Sequence, residues 1–271
     1  MNVAIQGAQA SFHHQAAASW FGQAVSIIEC DSFGDVFGTL NRHEAAQAVI
    51  AVENSLYGSI NEVLDLVEAH GYPIVGEVYL PIEQQLITLP NVSLSQITRV
   101  YSHPVALAQC QHFLDTHLPN AERVEYHDTA ASVELIKSLG NPAYAAISGR
   151  MSAELHGLPI LSENIEDNRA NITRFLVLSA GGKKPNDVSK ASFVIATDHT
   201  PGALARILAG LASHGANLTK LQSRPIIGEP WNYRFYIDIE ADASTIEECI
   251  DFLKNTAVKT TVLGKYNAAS A

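Results

Sequence analysis

Short apolar runs alternate with longer stretches whose apolar residues recur at helical spacing. Val3–Gln6, Ala48–Val52, Ile74–Leu80, Val100–Ser102 and Phe175–Leu178 are short and apolar or β-branched, which predicts strands. Ile60–Glu68, Val105–Leu114 and Ala130–Leu139 carry a helical period. Strand–helix alternation predicts an α/β architecture with mostly parallel sheets. Ligands of such sheets sit at the carboxyl ends of strands, beside helix N-termini.

The pattern changes after residue 180. AGGKKPNDVSK, Ala180–Lys190, has two glycines, a proline and no period, so 181–190 reads as a linker. Beyond it Ser192–Thr197 predicts a strand and Ala203–Ser213 a helix that Thr200 and Pro201 start. Strands over Leu218–Arg224 and Tyr233–Glu240, a helix over Thr245–Asn255 and a strand over Val258–Leu263 follow. That order is βαββαβ, a ferredoxin-like unit.

Charge supports the same division. Residues 1–189 hold 9 Lys+Arg against 20 Asp+Glu, and residues 190–271 hold 8 of each. The whole chain carries −11, which argues against nucleic acid, because neutralising phosphates needs clustered cations. No apolar run approaches the roughly 20 residues of a membrane helix. The opening MNVAIQ reads as a first strand rather than a secretory leader. Cys30, Cys110 and Cys249 are scattered, without zinc or disulfide spacing, so the expectation is a reducing cytoplasm and no metal.

Three segments bring hydroxyls and amides to strand ends. In Ile165–Leu178, IEDNRANITRFLVL, a polar loop runs into a strand, with Thr173 and Arg174 at the junction; the segment also reads as an ordinary strand start. In Val49–Ile60, VIAVENSLYGSI, a strand ends in Glu53-Asn54-Ser55, a cradle for a carboxylate or simply a turn and cap. In Val100–Cys110, Ser102-His103-Pro104 starts a helix, and His103 is either a base or a cap. Asp128-Thr129 is an N-cap or a ligand donor. No nucleophile–base pair, P-loop or metalloprotease motif is present. Residue logic alone therefore leads to a cleft for a small anion.

Taken in order, the segments resemble prephenate dehydratase. Gly7–Ala17, GAQASFHHQAA, is similar to that family's opening motif. Glu53–Ser59 matches E-N-S-x-x-G-S, Ser102–Cys110 matches S-H-P-x-A-x-x-Q-C, Asp128–Ala131 matches D-T-A-A, and Thr173-Arg174-Phe175 matches T-R-F. The tail resembles the ACT regulatory domain through Gly202-Ala203-Leu204 to Leu208 and through Gln222-Ser223-Arg224-Pro225.

The resemblance implies a catalytic domain over 1–180 with two lobes, like type 2 periplasmic binding proteins. Lobe 1 would span about 1–75 and 163–180 and lobe 2 about 76–162, with crossings near Val75–Leu80 and Ile160–Asn168. An ACT domain would fill 191–271. The implied reaction converts prephenate to phenylpyruvate, carbon dioxide and water in phenylalanine synthesis, without a cofactor, in a single-activity form. Thr173 would assist departure of the ring oxygen. Ser11, Asn54, Ser55, Ser102, His103, Thr129, Asn171, Arg174 and Phe175 would bind substrate, with Arg174 holding one carboxylate through paired hydrogen bonds. L-Phenylalanine would bind at Gly202, Ala203, Leu204, Leu221, Gln222, Ser223, Arg224 and Pro225, where ACT units of a homodimer or homotetramer meet. Two other readings stand beside this one: an arogenate dehydratase, and a non-catalytic sensor or solute-binding module.

The chain departs from the family pattern in its first loop. Ala8 and Ala10 replace Pro and Gly, Ser11 replaces Thr, and His13 replaces Ser. Ala51 replaces the Pro before E-N-S, and Gln222 replaces the regulatory Glu.

Overall fold

The computed structural model describes residues 2–181, 188–226, 228–229 and 231–269. Most of the linker expected over 181–190 lies outside these.

Lobe 1 begins with β1 (Asn2–Gln6), α1 (Phe12–Phe21), β2 (Ser26–Cys30), α2 (Phe33–Asn41), β3 (Gln47–Asn54), a short β4 (Gly58–Ser59), α3 (Asn61–His70) and β5 (Ile74–Pro81). The chain then builds lobe 2 from β6 (Gln85–Thr88), β7 (Arg99–Ser102), α4 (Pro104–Gln109), α5 (Gln111–His117), β8 (Glu122–Glu125), α6 (Thr129–Leu139), β9 (Tyr144–Ser148), α7 (Arg150–His156) and β10 (Ile160–Ser162). It returns to lobe 1 as β11 (Ile172–Ser179).

The lobe 1 strands lie in the order β5-β11-β3-β1-β2, with β11 antiparallel to both neighbours. Lobe 2 has its own sheet, β10-β6-β9-β7-β8. This is the expected two-lobed architecture, but the first crossing comes later than Val75–Leu80. β5 stays paired with β11 as far as Pro81, opposite Ile172, so the crossings are residues 82–84 and 163–171. Ile165 N–H donates to the Gln84 carbonyl at 2.9 Å, and Gln84 N–H donates to Glu166 Oε2 at 2.8 Å. The two crossings are therefore stitched together at one point.

Local signals account for the elements around the cleft. Pro104 occupies the first turn of α4, Asp128 caps α6, and Gly140 ends α6 in the left-handed region. The helix expected over Val105–Leu114 breaks into α4 and α5 at Cys110. Helix α1, which the sequence pattern did not announce, is capped by Ser11.

The C-terminal unit is β12 (Lys190–Ala196), α8 (Ala203–Ser213), β13 (Asn217–Pro225), β14 (Tyr233–Glu240), α9 (Ala243–Thr256) and β15 (Lys259–Tyr266). Its strand order β13-β14-β12-β15 is antiparallel throughout and ferredoxin-like. Ala191, Phe193, Ile195, Ile237 and Ile239 pack under α8 and α9. The opposite face presents Val194, Tyr236, Leu263 and Tyr266 to a core shared with Val36, Phe37, Leu64 and Val67 of lobe 1. The two sheets join where β15 meets β5 at Gly264 and Ile74. A Cβ on Gly264 would lie 2.3 Å from the Ile74 carbonyl oxygen, so this junction needs a glycine.

Candidate functional site

A cavity of about 330 Å³ lies between the lobes. Ser11, Asn54, His103, Thr129, Thr173 and Phe175, all expected at the site, line it. Gln6, Phe12, His13, Tyr57, Gln84, Gln109, His127 and Asp128 line it too. Beside Gln6 the lobes nearly touch. Gly7 has φ +91°, and a Cβ there would sit 2.7 Å from Asp128 Oδ2.

Thr173 is the most organised hydroxyl in the cavity. Asn54 donates one amide hydrogen to Thr173 Oγ1 at 2.9 Å and the other to Asn171 Oδ1 at 2.7 Å. Asn54 Oδ1 is held by the N–H groups of Leu56 and Tyr57. The amide cannot turn over without breaking these contacts. Thr173 thus has a lone pair occupied by a donor, and among the described residues its own O–H finds no acceptor. That O–H is left to donate to a ligand.

Among the described residues, no lysine or arginine lines the cavity. Attraction for an anion comes instead from helix ends: the start of α6 is already occupied by the Asp128 carboxylate, whereas Ser11 and His103 cap α1 and α4 and line the cleft. Unpaired N–H groups and the helix dipole favour negative charge there. His103 acts as a cap, its Nδ1 accepting from Val105 N–H at 3.3 Å. Burial lowers its pKa, against the pull of Asp128 and Glu125.

Two departures from the family pattern meet in the cleft wall. His13 Nε2 accepts from the Ala51 N–H at 3.1 Å. β1 pairs with β3 only as far as Val49, so the Ala51 N–H has no β1 partner. A proline there would have no N–H to satisfy; with alanine, His13 supplies the acceptor. Burial pushes the His13 pKa down to about 4, so the ring is neutral, and its edge-on contact with Phe175 has centroids 5.1 Å apart. Ala10, where the family has glycine, sits at φ +65°, the left-handed region that favours glycine.

Four expected ligands are not in the cavity lining. Ser102 Oγ is buried against the Ile147 carbonyl at 2.6 Å. Ser55 ties the second crossing, donating to the Ala170 carbonyl and accepting from Ile172 N–H. Asn171 braces Asn54 from behind and lines a smaller adjoining cavity with Glu166 and Asp167. Arg174 is the largest correction. Successive residues of a strand point to opposite faces, so when Thr173 and Phe175 face the cleft, Arg174 cannot. It is 4 % exposed and donates to Glu77 Oε2 at 2.7 Å, Asp238 Oδ2 at 2.6 Å and the Tyr266 hydroxyl at 3.0 Å. Burial opposes its charge, but Asp238, Tyr266 and Glu77 outweigh burial and hold its pKa well above the ordinary value. Lys190 joins the cluster through Glu77 Oε1 at 3.0 Å. Arg174 therefore ties lobe 1 to β12, β14 and β15.

The expected regulatory residues also divide. Gly202, Ala203 and Leu204 line an open surface cavity with Thr197–Pro201. Leu221–Pro225 are not among its lining. Gln222 Oε1 accepts from Ser59 Oγ, and Arg224 pairs with Asp65 of α3. Lys220, beside them on β13, bonds Glu53 at 2.8 Å and Ser59 at 2.9 Å. This side of β13 touches the segment that carries Asn54.

The prephenate dehydratase profile matches residues 3–183, two thirds of the chain, and the ACT domain profile matches residues 193–248. The chain belongs to the prephenate dehydratase family. A bifunctional chorismate mutase/prephenate dehydratase of Aquifex aeolicus is 34% identical over 99% of this chain and 74% of its own length. Arogenate dehydratase 4 of Arabidopsis thaliana is 35% identical over 98% of this chain and 67% of its own length. Among solved structures, the prephenate dehydratase of Arthrobacter aurescens in complex with L-Phe superposes with TM-score 0.88 at 32% identity, covering 98% of this chain and 89% of that one. GqqA, described as a novel type of quorum quenching acylase, superposes with TM-score 0.89 at 28% identity, covering 99% and 98%. The two-lobed cleft and its ferredoxin-like companion are thus the architecture of this family.

Proposed function

We propose that the cleft converts prephenate to phenylpyruvate, carbon dioxide and water, as a lyase of phenylalanine synthesis in the cytoplasm, with Thr173 as the group that assists the leaving oxygen. Prephenate is a dianion whose ring becomes aromatic when its ring carboxylate leaves as carbon dioxide, giving its bonding electrons to the ring, and its ring hydroxyl leaves as hydroxide, which a proton converts to water. Aromatisation supplies the driving force, so the protein has to orient the ring, exclude water and stabilise the departing oxygen. The observation that carries this reading is the 2.9 Å contact from Asn54 Nδ2 to Thr173 Oγ1. A hydroxyl that already accepts a hydrogen bond is polarised into a better donor, and its proton is the one left facing the cavity. The carboxylates are met by N–H groups at the starts of α1 and α4, and Phe175 and Phe12 form apolar walls.

L-Phenylalanine is the proposed regulator, bound beside Gly202–Leu204 in a site that a second copy of the chain completes, so the working assembly is a dimer or tetramer. Contacts of Lys220 and Gln222 with Glu53 and Ser59 supply a route from β13 to the cleft. A ligand that changes how β13 sits on lobe 1 changes the cleft, and substrate then changes the affinity for that ligand by the same factor.

The test incubates purified protein with prephenate and follows the ultraviolet absorbance of phenylpyruvate, with and without phenylalanine. Arogenate and an acylated quorum signal are run in parallel. Turnover of the acylated signal with none of prephenate would reject the lyase reading. The cleft hydroxyls of Ser11, Thr129 and Thr173 form no hydrogen bond to a histidine side chain among the described residues, so an acyl-transfer nucleophile has no partner base here.

A further inference from the structure

The hairpin that carries Asn54 is short and is held from outside its own lobe. β4 has two residues, Gly58 paired with Asn54 and Ser59 paired with Glu53. So small a ladder is marginal by itself. Asn54, Tyr57, Gly58 and Ser59 of this hairpin all line the cavity. Ser55 ties one side of the turn to the second crossing. On the other side Lys220 of β13, 8 % exposed, places its ammonium across the last rung of the hairpin. Its Nζ donates to Glu53 Oε2 at 2.8 Å and to Ser59 Oγ at 2.9 Å. Ser59 Oγ in turn donates to Gln222 Oε1 at 3.4 Å. Arg174 Nη1 stays 3.9 Å from Glu53 Oε2 and is committed to Asp238 at 2.6 Å, so Lys220 is the close cation of Glu53. A hydrogen bond to an ionised partner is among the stronger kinds. The C-terminal unit therefore staples the two strands that present Asn54.

Resting on the lyase reading above, we propose that Lys220 is a positioning residue for the reaction itself, at work with no effector bound. It touches no substrate. It fixes Glu53 and Ser59 on either side of the turn, and Glu53 is joined by one peptide bond to Asn54. That fixation keeps the Asn54 amide 2.9 Å from Thr173 Oγ1. Without the ammonium, the partly exposed Glu53 carboxylate turns into water and the hairpin loosens. Thr173 then loses its donor but keeps its own place, because β11 is paired on both sides. The starts of α1 and α4, which meet the carboxylates, lie outside the hairpin. The loss therefore falls on kcat rather than on KM. The unit that senses an amino acid is, in this reading, also part of the frame of the active site.

The experiment measures kcat and KM for prephenate, without phenylalanine, in the full-length chain. It compares wild type, Lys220→Met, Thr173→Val and the two changes combined. Lys220→Met keeps the apolar stem and removes the ammonium, and kcat should fall about tenfold, the scale of a small misplacement, with KM within twofold. A general loss of packing lowers kcat by one factor whether or not residue 173 has its hydroxyl. An action through Thr173 vanishes with that hydroxyl, so in the Thr173→Val background the loss should shrink to about twofold or less. If Lys220→Met does not fold, Glu53→Gln, which keeps the shape and removes the partner's charge at a partly exposed position, is measured in both backgrounds under the same criteria. A kcat within twofold of wild type overturns the role of Lys220, as does a loss carried by KM alone or an equal loss in both backgrounds. Near-normal turnover of Thr173→Val overturns it too, by removing the group through which Lys220 acts. Wild type inactive on prephenate overturns the lyase reading itself.

Discussion

Thr173 and Arg174 are adjacent in sequence and opposite in surroundings. The cleft face of β11 and β3 presents Thr173, Phe175 and Asn54, all uncharged, to a cavity lined by no lysine or arginine among the described residues. The opposite face presents Arg174 and Glu53 to a buried set of charges that belongs as much to the C-terminal unit as to lobe 1. One strand thus separates a cleft whose described lining holds no cation from a joint packed with paired charges. A fixed guanidinium in the cleft would hold the product carboxylate as firmly as the substrate's. Helix N-termini attract anions more gently, and a neutral hydroxyl acts where charge develops on the leaving oxygen.

The sharpest way to break this comparison is to remove Arg174. If its work is in the joint, Arg174→Met leaves Asp238 buried without its cation and Glu77 with Lys190 alone, and destabilises the fold by about 3–5 kcal/mol. Urea unfolding should show the loss, and the KM for prephenate in whatever protein stays folded should be nearly unchanged. An unaltered unfolding midpoint with a raised KM would return Arg174 to the cleft and erase the distinction between the faces. The next largest effect belongs to Thr173. Thr173→Val keeps the shape and removes the donor, so kcat should drop roughly a hundredfold, the scale of one acid–base group, with the melting curve little moved. Near-normal turnover would exclude the hydroxyl from the reaction.

A third experiment concerns the cleft wall. His13→Ser strands the Ala51 N–H, and Ala51→Pro takes the donor from His13 Nε2. Each change should cost about 1–2 kcal/mol, the range for an unmade hydrogen bond. His13→Ser combined with Ala51→Pro restores the pairing of the family pattern and should cost less than the sum by about 1 kcal/mol or more, as residues in contact do. Simple additivity in chemical denaturation would mean that the two departures are independent.

That pair also shows what the sequence could and could not reveal. Both substitutions were visible as departures, 38 positions apart, but nothing local says that one N–H and one imidazole nitrogen touch. The fold was legible because strand runs and caps are local signals, and the C-terminal unit was legible for the same reason. Boundaries were less so: β5 reads as complete near Leu80 but runs to Pro81, because its extent depends on what β11 offers it. Within the site, Ser11, Asn54, His103, Thr129, Thr173 and Phe175 were nameable from motifs. Gln84 and Gln109 were missed, because their amide pair forms only once the fold brings α4 to the first crossing. Arg174 was misplaced although the period-2 rule was in hand: with Thr173 assigned to the cleft, its neighbour had to face the other way.

The smallest expected effect probes the charged joint by pH. Asp65 of α3 receives Arg224, Arg234 and the Tyr236 hydroxyl. Burial works to raise its pKa, but the two guanidinium groups prevail and hold the carboxyl below its ordinary value of 3.8. A folded-state value below the unfolded one means that the stabilisation is complete above the unfolded pKa. It then fades as pH falls through the folded one. The stability gap between wild type and Asp65→Asn should therefore be about 1 kcal/mol and flat above the unfolded carboxyl value, and should close as pH falls below it through the folded one. Thr173 and Asn54 carry no titrating group, so Asp65→Asn should leave kcat on prephenate almost untouched. If the gap instead stayed open in acid, the ion pairs of α3 would not be what docks β13 and β14. If kcat fell together with stability, the two faces of the sheet would be coupled far more tightly than their separate chemistries suggest.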